Sequence, residues 1–299
     1  MAYIIENASI LKNHQLLNCS IFVKDDQIAG LQPEFAHYNS IRMNAEPYIM
    51  TPTYCLLDTN IPLHASFRDL REYTISQFLL KGCTTLLTYV NICYEHELEH
   101  KIKEIKTSLM NSPIDFIIGI KIPLNLISPS FIRKCKKEKI SAIFVDLNDS
   151  NKLEEIPWGW IRDSLFPYNC PLIPVISFPL KKEEKTVLSK WIYIMEKERI
   201  PAIYEELKEN QPLSVNVLNK IGIYPKKGSL MHGSELSYNL FLKGREVKNV
   251  DEVGLFHYHI DRLVVTVHRG KVVRAGKSVL FKPGNGEYVQ VRTPSYFSL

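Results

Sequence analysis

Two histidines at the start of one predicted helix have the spacing of a zinc site. His96 and His100 frame the pattern H-E-x-x-H, which on a helix places two imidazoles on one face beside a carboxylate. A zinc enzyme also needs a third protein ligand and a buried cleft. The neighbours Tyr94-Glu95 and Lys101–Lys106 instead describe a charged outer helix with ion pairs four residues apart. We interpret His96 and His100 as residues of a solvated helix, with a metal-binding role as the alternative hypothesis.

The other reactive side chains form no complete site. His257 and His259 have one residue between them, so on a strand both rings would share a face, and we interpret them as structural or surface residues. Cys83 and Cys93 flank a predicted strand, but no partner histidine is identifiable for nucleophilic catalysis. The patterns G-x-S-x-G, G-x-x-x-x-G-K-S/T and G-x-G-x-x-G do not occur. We therefore predict no phosphate loop and no cofactor.

Apolar strands alternate with amphipathic helices through the middle of the chain, which predicts a parallel sheet built of right-handed crossovers. The predicted strands are Tyr54–Asn60, Thr84–Asn91, Ile114–Ile122, Ala142–Leu147 and Leu172–Phe178. The predicted helices are Leu70–Lys81, Glu95–Met110, Ser130–Lys139, Lys181–Lys197, Pro201–Asn210 and Ser214–Ile221. These strands are too few for a closed eight-stranded barrel. We expect an α/β fold with an incomplete barrel, its open edges covered by Lys181–Lys197 and Pro201–Asn210 or by a second subunit.

Both ends of the chain are predicted to be β-rich, because short runs of β-branched residues are separated there by polar turn residues. The predicted strands of the two ends are Ile4–Leu11, Ser20–Lys24, Gln27–Leu31, Arg262–His268 and Lys271–Arg274.

The composition is that of an ordinary globular protein, with 45% hydrophobic and 23% charged residues. We find neither an export signal at the N-terminus nor an uncharged apolar run of about 18 residues. The 6 cysteines include no C-x-x-C pair, which favours reduced thiols in a cytoplasm. The net charge is +5, but acidic residues interrupt the basic runs at Arg133–Lys139 and Lys181–Lys185. We predict a cytoplasmic protein with no nucleic-acid partner and no membrane contact.

Two segments carry a specific resemblance to a known family. The first is Leu57-Asp-Thr-Asn-Ile-Pro-Leu-His64, followed after a helix by Gly82-Cys-Thr-Thr-Leu-Leu-Thr-Tyr-Val-Asn91. The second is Asn219-Lys-Ile-Gly-Ile-Tyr-Pro-Lys-Lys-Gly-Ser-Leu-Met-His-Gly-Ser-Glu235, with Val267-His-Arg-Gly-Lys-Val-Val273 after it. In order and spacing they resemble the dihydroorotase, hydantoinase and dihydropyrimidinase branch of the amidohydrolases. The resemblance covers both termini and the first part of the middle. It implies a (β/α) TIM-type barrel, here incomplete or distorted, and a composite β-sandwich formed by both chain termini.

The resemblance also implies a binuclear metal centre whose ligands are missing from this chain. The family places histidines, a carboxylated lysine and an aspartate at the strand ends, where two metals lower the pKa of a bridging water. Asp58 matches the leading acid of the first motif, but Asn60 and Pro62 stand at the two histidine positions. The predicted strand Ala142–Leu147 contains no lysine, and Leu172–Phe178 contains no histidine. Because proline has no ligand atom and an amide binds transition metals poorly, we expect no metal there.

Three polar positions stay of interest within the resemblance. His64 falls where the family often has an anion-binding arginine, and Asn91 falls on a substrate-contacting asparagine of the dihydroorotases. Together with Asn60 they are the candidate ligand-binding residues. The alternative interpretation is that such residues cap helices and form turns.

Three functions follow. The favoured one is a catalytically inactive homologue that acts as a binding or scaffold protein and forms a homodimer. The second is a divergent hydrolase of carbon-nitrogen bonds in cyclic amides that uses Asp58, His64 and Asp146. The third is a metal-binding protein that uses His96 and His100. The predicted domains are residues 1–50 and 223–299 for the two parts of the sandwich and residues 51–222 for the truncated barrel.

Overall fold

The chain divides into two compact units. A computed structural model describes residues 2–12, 15–147, 153–176, 181–244 and 250–295. The first unit contains Met1–Leu56, Ile61–Thr85 and Tyr224–Lys282, and the second contains Leu57–Asn60, Leu86–Ile223 and Pro283–Leu299. The domain boundaries predicted at residues 50 and 222 stay a prediction.

Helices and strands are named in chain order. The strands are β1 (Ala2–Lys12), β2 (Gln15–Lys24), β3 (Gln27–Gln32), β4 (Ile41–Asn44), β5 (Tyr48–Pro52), β6 (Tyr54–Leu57), β7 (Cys83–Asn91), β8 (Asp115–Pro123), β9 (Ile143–Asp146), β10 (Leu172–Val175), β11 (Tyr238–Leu242), β12 (Leu263–His268), β13 (Lys271–Ala275) and β14 (Ser278–Val279). The α-helices are α1 (Phe67–Gln77), α2 (Leu98–Ser108), α3 (Pro129–Lys137), α4 (Trp158–Leu165), α5 (Lys181–Lys197), α6 (Val215–Lys220) and α7 (Glu252–Tyr258).

The β-rich chain ends join in one mainly antiparallel sheet. Its strand order is β14-β13-β12-β11-β5-β1-β2-β3, and β4 pairs with β1. Strand β5 connects the two chain ends, since it pairs parallel with β1 and antiparallel with β11. Alternate side chains of a strand point to the same face, and Ile5, Ile21, Val23 and Met50 lie buried in one apolar cluster.

The parallel sheet has the strand order β10-β9-β8-β7-β6 and curls into a half-barrel. Its strands are apolar and almost wholly buried, as in parallel sheets that helices cover on both faces. All of the strands predicted for the middle of the chain are present. Strand β6 ends at Leu57 rather than at Asn60, because a turn begins at Asp58. The predicted end of the last strand, at Phe178, lies outside the described residues.

Serine side chains set the start of three helices. The hydroxyl oxygens of Ser66, Ser128 and Ser214 accept hydrogen bonds from backbone N–H groups in the first turns of α1, α3 and α6. Such caps satisfy N–H groups that have no partner within the helix. They explain why α6 lies within the predicted Ser214–Ile221 and why α3 begins next to its predicted start.

The helix predicted over Pro201–Asn210 is wrong. We call residues 201–210 the strap, because they run in an irregular, largely extended path across the second unit. The Leu172 N–H donates to the Pro201 carbonyl, and the Ile203 N–H donates to the Leu172 carbonyl, each at 2.9 Å. At its other end the Asn210 N–H donates to the Leu57 carbonyl at 2.8 Å. The strap thus pairs with Leu172 at the start of β10 and bonds the end of β6, as an irregular segment and not as the predicted helix. That these residues cover an open edge of the sheet stays a prediction.

One further expectation needs correction. His257 and His259 do not lie on a strand: His257 is in α7 and His259 directly follows this helix. Helix α4 lies in a stretch for which no helix was predicted. Trp158 at its start is buried, and its indole N–H donates to the Leu153 carbonyl at 2.7 Å. Among the described residues, every helix is too short or too polar to cross a membrane.

Candidate functional site

Polar side chains meet at the carboxyl ends of the parallel strands in the second unit. Strands β6, β7, β8 and β9 and the strap each contribute, since parallel strands all end at the same edge of the sheet. We call this group the strand-end cluster, and its members are Thr59, Asn60, Tyr89, Lys121, Asp146, Glu206 and Glu209.

The turn after β6 presents two hydrogen-bond donors. Asp58 is fully buried, and its Oδ1 accepts the Asn60 N–H at 2.8 Å, which makes a tight aspartate turn. The Thr59 hydroxyl donates to one carboxylate oxygen of Glu209, and the Asn60 side-chain amide donates to the other. The turn therefore binds both oxygens of a single carboxylate of the strap.

An ion pair joins the ends of β8 and β9. Lys121 Nζ lies 3.3 Å from Asp146 Oδ2, and the two side chains are 24% and 21% exposed. The register places the two residues near each other, because Pro123 pairs directly with Asp146. The second oxygen, Asp146 Oδ1, is buried and has no hydrogen-bond partner among the described residues. Buried hydrogen-bond acceptors without a partner are uncommon in folded proteins, so a donor that reaches this oxygen would be bound favourably.

Glu206 binds the end of β10. Its Oε1 accepts the Ile176 N–H at 3.0 Å. Burial raises the pKa of the Glu206 carboxyl, and the negative charges of Glu184 and Asp146 raise it further, against the Ile176 N–H and Lys121, which lower it. The cluster therefore holds more negative than positive charge around its one lysine.

Tyr89 connects the two halves of the cluster. Its ring centroid lies 4.6 Å from that of Phe144, over β8. Burial raises the pKa of the Tyr89 hydroxyl, Lys121 and the Thr59 hydroxyl lower it, and Glu209 and Glu206 raise it. Gly119 makes room for the Phe144 ring, because a Cβ atom at this position would lie 3.1 Å from it.

The structure places the predicted residues differently. Asp58, Asn60 and Asp146 lie at the strand ends of the second unit, and Asn60 and Asp146 belong to the cluster. Asn91 is exposed at the end of β7, where its backbone carbonyl accepts the Lys101 ammonium at 2.8 Å. His64 is exposed and belongs to the first unit. The ligand-binding roles of Asn60, His64 and Asn91 stay predictions.

The H-E-x-x-H residues lie on the outside of the second unit. His96 and His100 are both exposed, and the Tyr94 ring stacks on His96 with centroids 5.7 Å apart. Glu97 accepts the backbone N–H groups of Cys93 and Tyr94 and pairs with Lys101 at 3.2 Å. These contacts describe a helix start with its own carboxylate cap.

Sequence reasoning missed most of the cluster: Thr59, Tyr89, Lys121, Glu206 and Glu209. One signal could have found Glu206. The segments 139–146, 169–176 and 199–206 share a pattern in which a left-handed residue after a helix precedes a short apolar run. In that alignment Glu206 occupies the position that Asp146 occupies at the end of β9, so the start of the strap reads as a sixth strand end.

The fold of this chain is similar to that of solved hydantoinases and dihydropyrimidinases. No protein-family model and no curated protein matches the sequence. A D-hydantoinase structure aligns with a TM-score of 0.59 at 13% identity, covering 98% of this chain and 99% of that chain. The dihydropyrimidinase from Brevibacillus agri aligns with a TM-score of 0.61 at 10% identity, covering 98% and 99%. The L-hydantoinase from Arthrobacter aurescens aligns with a TM-score of 0.55 at 11% identity, covering 96% and 99%. This chain has the hydantoinase fold.

The residues of this hydantoinase-fold chain do not fit the pair of metals that the amidohydrolase resemblance implies. In the described part of the second unit, no three His, Cys, Asp or Glu side chains bring ligand atoms within 4.8 Å of one another. The cluster contains no imidazole, and Lys121 takes part in an ion pair. An ammonium beside the carboxylates competes with a cation for the same oxygens.

Proposed function

We propose that this hydantoinase-fold chain is a divergent amidohydrolase homologue that has lost the metal ligands and acts as a binding or scaffold protein. The observation that supports this most is the strand-end cluster itself. Its donors are occupied by the chain's own carboxylates, and Glu209 lies against Thr59 and Asn60, where the motif of the resembling family places its first histidine.

The chemical reason is the cost of activating water. A bound metal lowers the pKa of water to about 7, which supplies hydroxide near neutral pH. The carboxylates of the cluster are paired or hydrogen-bonded within the protein, and such groups lower no water pKa. Hydrolysis of a stable cyclic amide would then lack its nucleophile.

The proposal includes the architecture and the setting. The barrel is incomplete, with the strap in place of the strands that would follow β10. Residues 1–50 and 223–299 form the composite sandwich, and residues 51–222 form the barrel. The protein is cytoplasmic, forms a homodimer, needs no cofactor and binds neither nucleic acid nor membranes.

Metal content and turnover test this proposal together. Protein purified in zinc-containing buffer is analysed for metal by elemental analysis and incubated with hydantoin and dihydrouracil, with a D-hydantoinase as the positive control. We expect less than one metal ion per chain and no ring opening. Two zinc ions per chain together with ring opening would overturn the proposal. The mass in solution tests the homodimer separately.

A divergent hydrolase is the second candidate, and Asp146 favours it, because its Oδ1 has no hydrogen-bond partner in the part of the chain that the structure describes. If ring opening is found without metal, Asp146→Asn should abolish it and His64→Ala should reduce it. Asp163→Asn, an exposed residue on α4, is the matched control. Unchanged turnover in Asp146→Asn excludes this role.

A further inference from the structure

The strap carries two carboxylates to the strand ends, and each meets hydrogen-bond donors. We propose that the strand ends form a recognition site for a small dicarboxylate and that Glu206 and Glu209 of the strap occupy it in place of the ligand. The inference rests on the proposed binding function and names its ligand class.

The chemistry of the donors defines what they recognise. The Thr59 hydroxyl and the Asn60 amide bind both oxygens of Glu209, and the Ile176 N–H binds Glu206. Hydrogen bonds from neutral donors to an ionised carboxylate are stronger than those between neutral groups. A ligand that replaces the two glutamate side chains makes the same hydrogen bonds if it offers carboxylate oxygens to both positions. The bonds of Asn60 and Ile176 are exposed, so the ligand competes there with water.

The charge balance decides when an anion can bind. Asp146, Glu206 and Glu209 are carboxylates, and Lys121 is the ammonium among them. With both glutamates in place the cluster carries an excess of negative charge, which repels an added anion. Without them Lys121 and Asp146 balance each other, so the repulsion is removed and the Lys121 ammonium can attract a carboxylate ligand.

The strap does not depend on these glutamates for its path. At its start, the Trp191 indole N–H donates to the Ile203 carbonyl at 3.0 Å, and the Ile203 N–H bonds Leu172. At its end, the Asn210 N–H bonds the Leu57 carbonyl. Trp191 is fully buried, so its hydrogen bond to the Ile203 carbonyl is shielded from water and holds the start of the strap in place. Removing the two carboxylates therefore empties the donors without detaching the backbone that covers them.

Calorimetric titration with succinate and with glutarate tests the inference on the full-length protein. We expect the double variant Glu206→Ala/Glu209→Ala to bind at least one of them about tenfold or more tightly than the wild type does, because hydrogen bonds to charged groups contribute on that scale. Glu205→Ala, an exposed glutamate on the same strap, is the matched control and should behave like the wild type. If the alanine pair does not fold, Glu206→Gln/Glu209→Gln should show the same direction.

Specificity controls decide whether the donors are responsible. Succinamide, the neutral analogue, should not bind, and adding Thr59→Val and Asn60→Leu to the double variant should weaken succinate binding about tenfold. Equal affinity in wild type and double variant, no binding in either, or binding that survives loss of the donors would each overturn the inference. Ring opening by the metal-loaded wild type would instead overturn the proposed function and leave these titrations valid.

Discussion

Two polar networks of this molecule, one in each unit, contrast in burial. In the first unit Lys227 Nζ lies 3.1 and 2.7 Å from the two oxygens of Glu235, and the side chains are only 8% and 10% exposed. In the second unit Lys121 and Asp146 lie 3.3 Å apart and are more than twice as exposed. The first network joins the ends of one loop, whereas the second lies open at the strand ends and is completed by the strap.

The contrast explains which part of the molecule carries the sequence resemblance to the family. The run Ile223-Tyr-Pro-Lys-Lys-Gly228 is its most specific part, and the loop that continues from it to Glu235 needs the residue types found there. Ser229 and Ser234 donate to the Pro225 carbonyl at 2.6 and 2.9 Å, and Gly228 and Gly233 have φ of 70° and 81°. Glycine adopts such angles at the lowest steric cost, since it has no Cβ atom. The resemblance therefore follows a structural loop, while the strand ends carry different chemistry.

The largest expected loss of stability comes from breaking the buried network of the first unit. Lys227→Ala leaves the Glu235 carboxylate buried beside Arg269, whose Nε is 3.8 Å away, and should lower the free energy of unfolding by about 3–5 kcal/mol. Urea denaturation measures this loss. The adjacent exposed Lys226→Ala is the control and should change stability little. Similar losses in both variants would contradict the distinction drawn between these lysines.

A substitution inside the parallel sheet should lower the free energy of unfolding less than loss of the buried ion pair does, but should still lower it. Gly119→Ala places a methyl group 3.0 Å from the Ala142 carbonyl oxygen and 3.1 Å from the Phe144 ring, which should destabilise the protein by about 1–3 kcal/mol. Gly159→Ala is the matched control, since nothing lies within 4 Å of its added Cβ. Being in α4, it should stabilise by about 0.5–1 kcal/mol. Thermal unfolding of both variants distinguishes packing from backbone effects.

A buried carboxyl of the first unit should make stability depend on pH. Burial, followed by the charge of Asp251, raises the pKa of Glu252 from 4.5 to about 7. The folded protein therefore binds this proton more tightly, so the stabilisation is complete below the ordinary pKa and is lost as pH rises through about 7. The contribution of Glu252 to the free energy of unfolding should fall by about 1–2 kcal/mol between acid and mildly alkaline pH, measured as the difference between the wild type and Glu252→Gln. Glu252→Gln should lose less, whereas Glu99→Gln, on an exposed position of α2, should match the wild type.

The smallest expected effect is at the strand ends. Lys121→Met removes the partner of Asp146, but because both side chains reach water the loss of unfolding free energy should stay below about 1 kcal/mol. Denaturation in parallel with Lys227→Ala gives the comparison directly. A loss as large as that of Lys227→Ala would place both ion pairs in one class and remove the contrast between the units.

Hydrophobic periodicity and residue type predicted most of the helices and strands. The apolar runs of β7 and β8, the amphipathic pattern of α5 and the serine before α6 are local signals, and the structure has these elements where they were predicted. The strap has a helical composition, but its N–H and carbonyl groups bind Leu172 and Leu57 instead. Tertiary hydrogen bonds overrode local propensity there.

The sequence by itself determined the strand and helix alternation and the β-rich ends, because these are properties of residue type and spacing. It also determined that Asn60 and Pro62 replace the two histidines of the first motif, that the fourth strand has no lysine and that the fifth has no histidine. Only the tertiary structure decided that Glu209 meets Thr59 and Asn60 and that Lys121 meets Asp146. These partners lie far apart along the chain. Curling of the sheet and the extended path of the strap bring them together, and no local pattern encodes either one.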